Sequence, residues 1–369
     1  MSLTKEDAIY ISDVFEDYFG HLERIDDYMR EQKLASLAEL PSNPLFPPED
    51  DLFSDFSMHP NDMDLSVVEI SNDVWETLLN ITSTHVNISP VGKNIRLAVL
   101  ERNTGKYVGF IRLGSPVINC KPRNDMLQQV FTHDKNTATI FNKTTLMGFV
   151  IVPSQPFGYN YLGGKLLAGI CCSHEVRKML DEKYDMTTCL FETTSLYGSS
   201  KAVSQYDGMK PLIRFKGLTD SDFLPMLHGK TYTDLKDYME EILGEPLAPE
   251  GASSRKLKIS NAMVSIIKTT LKGTPEGAKF AQTIENAKNL NEQKRYFISD
   301  YGFKNMVDFV NGKDTKLVPG ENYEKHNLTN IIEWWRKKAI NRFETLKTEG
   351  RIRNEQEVWT GDKVLDIIR

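Results

Sequence analysis

Residues 144–153 read TTLMGFVIVP, apolar on both of the faces that a strand presents alternately. Such a run has no side to show to water, so it belongs in the middle of a sheet with layers against both faces. That requirement commits the chain to a layered α/β arrangement. The flanking segments fit it. LSVVEI (65–70), IRLAVLER (95–102) and KYVGFIRL (106–113) read as strands, and Asn103-Thr104-Gly105 between the last two is a hairpin turn. DVWETLLNITSTHV (73–86) and YLGGKLLAGICCSHEVRKMLDEKY (161–184) have helical spacing. TTCLFETTS (187–195) reads as a strand, SSKAVSQYDG (199–208) as a short helix and PLIRFKGL (211–218) as a last strand. The expected core is a mixed, twisted sheet flanked by helices.

Charge divides the chain. Residues 1–80 hold 19 Asp and Glu against 4 Lys and Arg, while the remainder carries 41 basic and 32 acidic residues. In residues 6–29, Ile11, Phe15, Tyr18, Leu22, Ile25 and Met29 recur at three and four, the stripe of one amphipathic helix with an acidic outer face. The Pro-rich segment 41–64 follows, and its Leu45, Phe46, Leu52, Phe53 and Phe56 are too apolar to lie free. Beyond residue 230 the period turns helical, with TYTDLKDYMEEIL, ISNAMVSIIKTTLK and LTNIIEWWRKKAINRFETLK. Three regions are therefore expected: an acidic helix with a linker (1–64), an α/β domain (65–230) and a basic helical region (231–369).

Several function classes drop out. No apolar run is long enough to span a bilayer, and the acidic start is unlike a secretory signal, so a cytoplasmic protein is expected. Four cysteines at 120, 171, 172 and 189 fit neither a disulfide framework nor a zinc ribbon, and the seven histidines are scattered, so no metal is expected.

Chemistry concentrates in two stretches. The strand at 144–153 hands over to Gln155-Pro156-Phe157-Gly158-Tyr159-Asn160 and then to a helix. Helix starts present N–H groups without intrahelical partners, which suits an anion such as pyrophosphate. Gly158 would let the backbone approach it closely; tight packing of helix on sheet is the competing explanation. In the second stretch Glu192 ends a strand, and Ser199 and Tyr206 follow. A carboxylate there can accept a proton once burial raises its pKa, and Tyr206 can supply one. The structural alternative is that Ser199 or Ser200 caps the short helix and Tyr206 packs half-buried. Arg123 and Asp125 fit a surface salt bridge better than the border of a site.

Strand, then Q-x-x-G-x-[G/A], then helix is similar to the acyl-CoA-binding motif of GNAT acetyltransferases, with Asn160 standing where that motif has Gly or Ala. The resemblance implies acetyl-CoA or another CoA-type donor seated by Val152, Gln155, Phe157, Gly158, Tyr159 and Asn160. It also implies a splayed following strand, and Tyr206 of Tyr206-Asp207-Gly208-Met209 as general acid beside Glu192 and Ser199. Across residues 105–220, GFIRLGSP, Arg123-Asn124-Asp125, Asn142 with TLMGFVIVP, LGGKLLA, LFETTSLYGSSKAVSQYDGM and PLIRFKGL resemble a phage and bacterial group. That group includes the DruA component of Druantia anti-phage defence and looks related to phage Mom-type DNA-modification proteins.

Two basic stretches suit DNA: residues 253–272, with Arg255, Lys256 and Lys258, and residues 327–353, with Arg336, Lys337 and Arg342. Trp335 shares a helix face with Ile331 and Ala339 and reads as core. The leading expectation is a GNAT-like, phage-encoded transferase that modifies nucleic acid or another amine in the host cytoplasm. The alternatives are a non-catalytic DNA-binding protein on the same scaffold, or a virion or assembly protein that docks a partner through its acidic front end.

Overall fold

The computed structural model describes residues 3–20, 22, 25–38, 48–84, 92–131, 134–195, 204–219, 226–252, 255–289, 294–359 and 365. In chain order the helices and strands are α1 (Lys5–Phe19), α2 (Ile25–Ala38), β1 (Leu65–Glu69), α3 (Asn72–Thr82), β2 (Asn94–Glu101), β3 (Lys106–Gly114), α4 (Lys121–Leu127), α5 (Lys135–Thr144) and β4 (Thr145–Pro153). There follow α6 (Phe157–Tyr161), α7 (Gly163–Cys171), α8 (His174–Tyr184), β5 (Leu190–Thr194), β6 (Arg214–Leu218) and α9 (Gly229–Leu243). The last are α10 (Arg255–Thr270), α11 (Pro275–Asn289), β7 (Arg295–Ser299), α12 (Met306–Val310) and α13 (Leu328–Thr348).

The described strands form one mixed sheet in the order β1-β2-β3-β4-β5-β7-β6. β4 and β5 run parallel; the other neighbours are antiparallel. The turn between β2 and β3 forms as read, with Gly105 at φ 69°. Both faces are covered, as the apolar β4 requires. On β3 a Cβ at Gly109 would meet Leu167 of α7, whereas the next residue, Phe110, meets Trp75 of α3 at a ring distance of 6.4 Å. α13 packs against α6 and α7, burying Ile331, Trp335, Ala339 and Phe343.

β4 pairs with β5 only from Thr145↔Leu190 to Gly148↔Thr193. Past that point Phe149–Pro153 pairs with β3 alone while Thr194 pairs with Tyr296 of β7, so the two parallel strands part.

Three expectations need correction. The sheet draws on both sides of residue 230, because β7 comes from 295–299 and inserts between β5 and β6. The N-terminal stripe is two helices, with the first ending at Gly20. The stretch 161–184 is broken at Cys172–Ser173, where the Ser173 hydroxyl caps α8 by accepting from Val176 N–H at 3.2 Å. The acidic front end packs on the later helices. Ile11, Phe15 and Phe19 of α1 enter a second core with Met263 and Ile267 of α10 and Phe280 and Ile284 of α11, and Glu16 pairs with Lys279. Leu52, Phe53 and Phe56 are buried as expected, whereas Leu45 and Phe46 lie outside the described residues. Among the described residues no helix is long and apolar enough to cross a membrane.

Candidate functional site

The corner after β4 is filled. Gly158 N–H donates to the Ser154 carbonyl (2.8 Å), Tyr159 N–H to Gln155 Oε1 (3.2 Å) and Asn160 N–H to the Pro156 carbonyl (2.8 Å). The free amides expected there are therefore engaged, and α6 is a single five-residue turn. Phe157 is wholly buried among Phe53, Tyr161 and Trp335. Asn160 is equally buried: its Nδ2 donates to the Arg353 carbonyl (2.8 Å), and its Oδ1 accepts from Arg353 N–H (3.2 Å). Glu357 N–H reaches the Gln155 carbonyl at 3.0 Å, and Trp359 N–H reaches the Ile81 carbonyl at 2.7 Å. Residues 351–359 thus strap the corner. Val152 packs against the cluster of Leu52, Trp75 and Phe110. At Gly158 a Cβ would lie 2.5 Å from Gln155 Nε2, so this glycine serves internal packing. The Gly158, Tyr159 and Asn160 amides are thus not free to hold a pyrophosphate.

The polar chemistry lies elsewhere on the sheet. Glu192 of β5 is wholly buried, and its carboxylate meets Arg123 Nη1 of α4 at 3.1 and 3.3 Å and the Tyr296 hydroxyl of β7 at 2.7 Å. Arg123 is not at the surface, as a simple salt bridge with Asp125 would have it; Asp125 pairs with Lys121 instead. The Arg123 guanidinium donates to the Val117 and Ile118 carbonyls at 2.7 and 2.9 Å and stacks on Phe141 at 4.3 Å. Burial pushes the Glu192 carboxyl pKa up, while Arg123 and the Tyr296 hydroxyl act against that shift. Each carboxylate oxygen has two lone-pair sites, so the group retains capacity to accept from a ligand.

Open space lies beside this cluster, although the Glu192 side chain is itself fully buried. A cleft of about 160 Å³ is lined by Glu192, Tyr296, Asn119, Thr194, Thr219 and Met147, with Val117, Cys120 and Lys121 completing its wall. Burial and the Glu192 charge push the Cys120 thiol up to about 11, which makes it a poor nucleophile at neutral pH.

Tyr206 does not join Glu192. Side chains opposite one another in an antiparallel pair share a face. Glu192 is registered with Ile298 and Thr194 with Tyr296, whereas Thr193 is registered with Phe297 on the reverse face. Tyr206 packs on Phe297 at 5.1 Å and is hydrogen-bonded to Thr193, so it lies behind the sheet as seen from the cleft. Burial pushes its phenol up to about 12. Ser199 lies outside the described residues. His174, buried with Nε2 2.9 Å from the Tyr323 carbonyl, is a packing residue.

Residues 45–208 match the family model of the Druantia protein DruA. No curated protein and no solved structure matches the chain. The DruA match takes in β1 to β5 with α3 to α8, and so both Arg123 and Glu192. It ends before β6 and β7, so Tyr296 and the strap at 351–359 lie outside the matched residues. Sequence reading missed Tyr296 because it stood in a region assigned to helices.

The basic residues sort by what holds them. Arg336 is fastened to the DruA-like segment, donating to the Pro60 and Met63 carbonyls at 3.2 and 3.0 Å and pairing with Glu333. Lys256 is 3.1 Å from His228 Nδ1 and lies over Tyr232 at 4.6 Å. Arg255 is half-buried, whereas Lys258 and Lys337 are exposed. Arg342 lies over Tyr159 at 4.6 Å and donates through Nε to the Tyr159 carbonyl at 3.2 Å. Trp335 is core as read, its indole N–H bonded to the Tyr161 carbonyl at 2.8 Å.

Proposed function

We propose that this protein is a nucleic-acid-recognition protein on a GNAT-like sheet, acting in phage defence, and that it takes an amino-bearing base into the Glu192 cleft. The observation that carries the reading is a fully buried carboxylate, fixed from two sides by Arg123 and Tyr296, that lines a cleft. A carboxylate so held is an acceptor for N–H donors, and the exocyclic amine of adenine, cytosine or guanine is such a donor. Size agrees: an engineered protein cavity of about 150 Å³ admits benzene, so a pyrimidine-sized ring suits this one. Asn119, Thr194 and Thr219 add neutral hydrogen-bonding groups at the wall, and Met147 and Val117 add apolar ones, the mixture that ligand sites use.

A transferase with a CoA-type donor is the second reading, and the parting of β4 from β5 beyond Gly148 and Thr193 favours it. There the acceptor nitrogen would attack the thioester carbonyl carbon and the C–S bond would break. The amine proton would pass to Glu192, directly or through water, and the thiolate would leave to take a proton from solvent. The donor would lie in the parting rather than on the Gly158 amides.

Saturation-transfer NMR on the full chain separates these readings. Deoxyadenosine, deoxycytidine and deoxyguanosine should give transfer signals that Thr194→Val and Glu192→Gln abolish, with thymidine much weaker. Absence of any nucleoside signal refutes base recognition. Stabilisation by acetyl-CoA, with acetyl transferred to a nucleoside amine, would establish the second reading in its place.

A further inference from the structure

Three guanidinium groups meet at one aromatic ring near the strapped corner. Arg353 lies 3.9 Å over the Tyr159 ring and Arg342 4.6 Å over it, while Arg351 Nη2 donates to the Tyr159 hydroxyl at 3.1 Å. Two carboxylates answer them: Glu349 pairs with Arg351 at 2.6 Å and Glu357 with Arg353 at 3.3 Å. Arg342 has no carboxylate partner among the described residues, because the acids of α13 are engaged elsewhere, Glu333 with Arg336 and Glu344 with His59.

The cluster continues along α13. Trp334, Lys338 and Arg342 stand four residues apart and share one helix face. The Lys338 ammonium lies over the half-buried Trp334 ring at 5.3 Å. Burial and then the charge of Lys338 hold the Lys165 ammonium of α7 below its ordinary pKa, so those two cations are also neighbours. The Arg351 and Arg353 side chains remain 55% and 38% exposed, so ion pairing has not removed them from solvent.

Like charges gathered in this way repel one another, and fixing guanidinium planes on a tyrosine lowers the entropy lost when they grip an anion. From this arrangement we infer that Lys338, Arg342, Arg351 and Arg353 form a track for the phosphodiester backbone of a single nucleic-acid strand, with Trp334 beside it for a stacked base. The inference rests on the nucleic-acid reading above and adds the surface that holds the strand. The track lies at the far end of β4 from the cleft: six residues separate Met147 from Pro153, roughly 20 Å at strand rise. Phosphate contacts supply affinity and register, and a base-sized cleft supplies selection.

The test is the salt dependence of binding of a fluorescein-labelled 20-nucleotide single strand to the full chain. Each phosphate contact on single strands contributes about −0.7 to the slope of log K against log salt, so four cations predict a slope near about −3. Arg342→Gln with Arg353→Gln should flatten the slope by about 1.4. Half-buried Lys338→Glu, which puts a like charge beside the phosphates, should weaken binding at least tenfold. A slope unchanged in both variants refutes the track. So does a case in which inorganic pyrophosphate saturates these arginines while the strand binds with a slope no steeper than about −1. Nucleoside transfer signals should persist in the arginine variant. Their loss from the wild type with the strand's salt slope intact would overturn the cleft and leave the track standing.

Discussion

Replacing Arg123 by leucine removes one member of a wholly buried ion pair and leaves the Glu192 carboxylate without its cation. Breaking such a pair from one side costs about 3–5 kcal/mol, a large part of the 5–15 kcal/mol or so that holds a typical domain together. The leucine keeps some contact with Phe141 and Phe131, but the Val117 and Ile118 carbonyls lose their donors. The loss should depend on pH. Burial already pushes the Glu192 pKa up, with Arg123 acting against it, so in the variant the folded-state pKa rises further above the unfolded value of about 4.3. A carboxyl with a raised folded pKa binds its proton more tightly when folded. The deficit is therefore full above the folded pKa and shrinks as pH falls through it toward the unfolded value, by about 1.4 kcal/mol for each unit separating the two. Urea unfolding of wild type and Arg123→Leu at pH 8 and pH 5 measures this as the difference in midpoint at constant slope. The gap should be widest at pH 8 and clearly narrower at pH 5. The double variant with Glu192→Leu should recover most of it, because apolar replacement of a buried pair is often neutral or stabilising. An equal deficit at both pH values, or one below about 1 kcal/mol, would show that the pair is not buried as described.

Other parts of the fold give independent checks. Burial depresses the His326 imidazole to about 4; Nδ1 donates to the Cys172 carbonyl, Nε2 has no partner among the described residues, and the charges of His174, Asp300 and Arg214 act on it. The folded state thus favours neutral His326, so its contribution is complete above about pH 6.5 and is lost as pH falls toward 4, up to about 3 kcal/mol; urea midpoints at pH 7, 5.5 and 4.5 should follow that course, and His326→Gln should flatten it. Asn160→Ala removes both side-chain bonds to the Arg353 backbone and should cost about 1–3 kcal/mol; trypsin should then cleave after Arg351 or Arg353 faster than in wild type, and unchanged cleavage would mean the strap is held by other contacts. Tyr206→Phe should cost about 1 kcal/mol in urea unfolding and leave nucleoside binding unaltered, since Tyr206 lies behind the sheet; a selective loss of nucleoside binding would contradict that placement.

The parts of this molecule that could be read directly are those whose signal is local. β4 announces itself because an apolar residue at nearly every position can be satisfied only between two layers, and the β2–β3 hairpin follows from Asn103-Thr104-Gly105 between alternating runs. Trp335 could be assigned to the core because Ile331 and Ala339 lie on its own helix face. β7 could not be placed in this way: RYFIS is five residues long, and its partners in β5 and β6 are separated from it by helices whose own pattern dominates. Arg123 carried no sign of burial, because what makes a buried guanidinium tolerable is Glu192, 69 residues on, and Glu192 in turn leans on Tyr296, 104 residues further. The glycine loop after β4 showed a pattern open to two uses, and the distant segment 351–359 decided between them by occupying the corner. Periodicity and turn chemistry are properties of neighbouring residues and are written in the chain. The burial of a charge, and which backbone amides stay free, depend on which remote segments arrive, and only packing settles that.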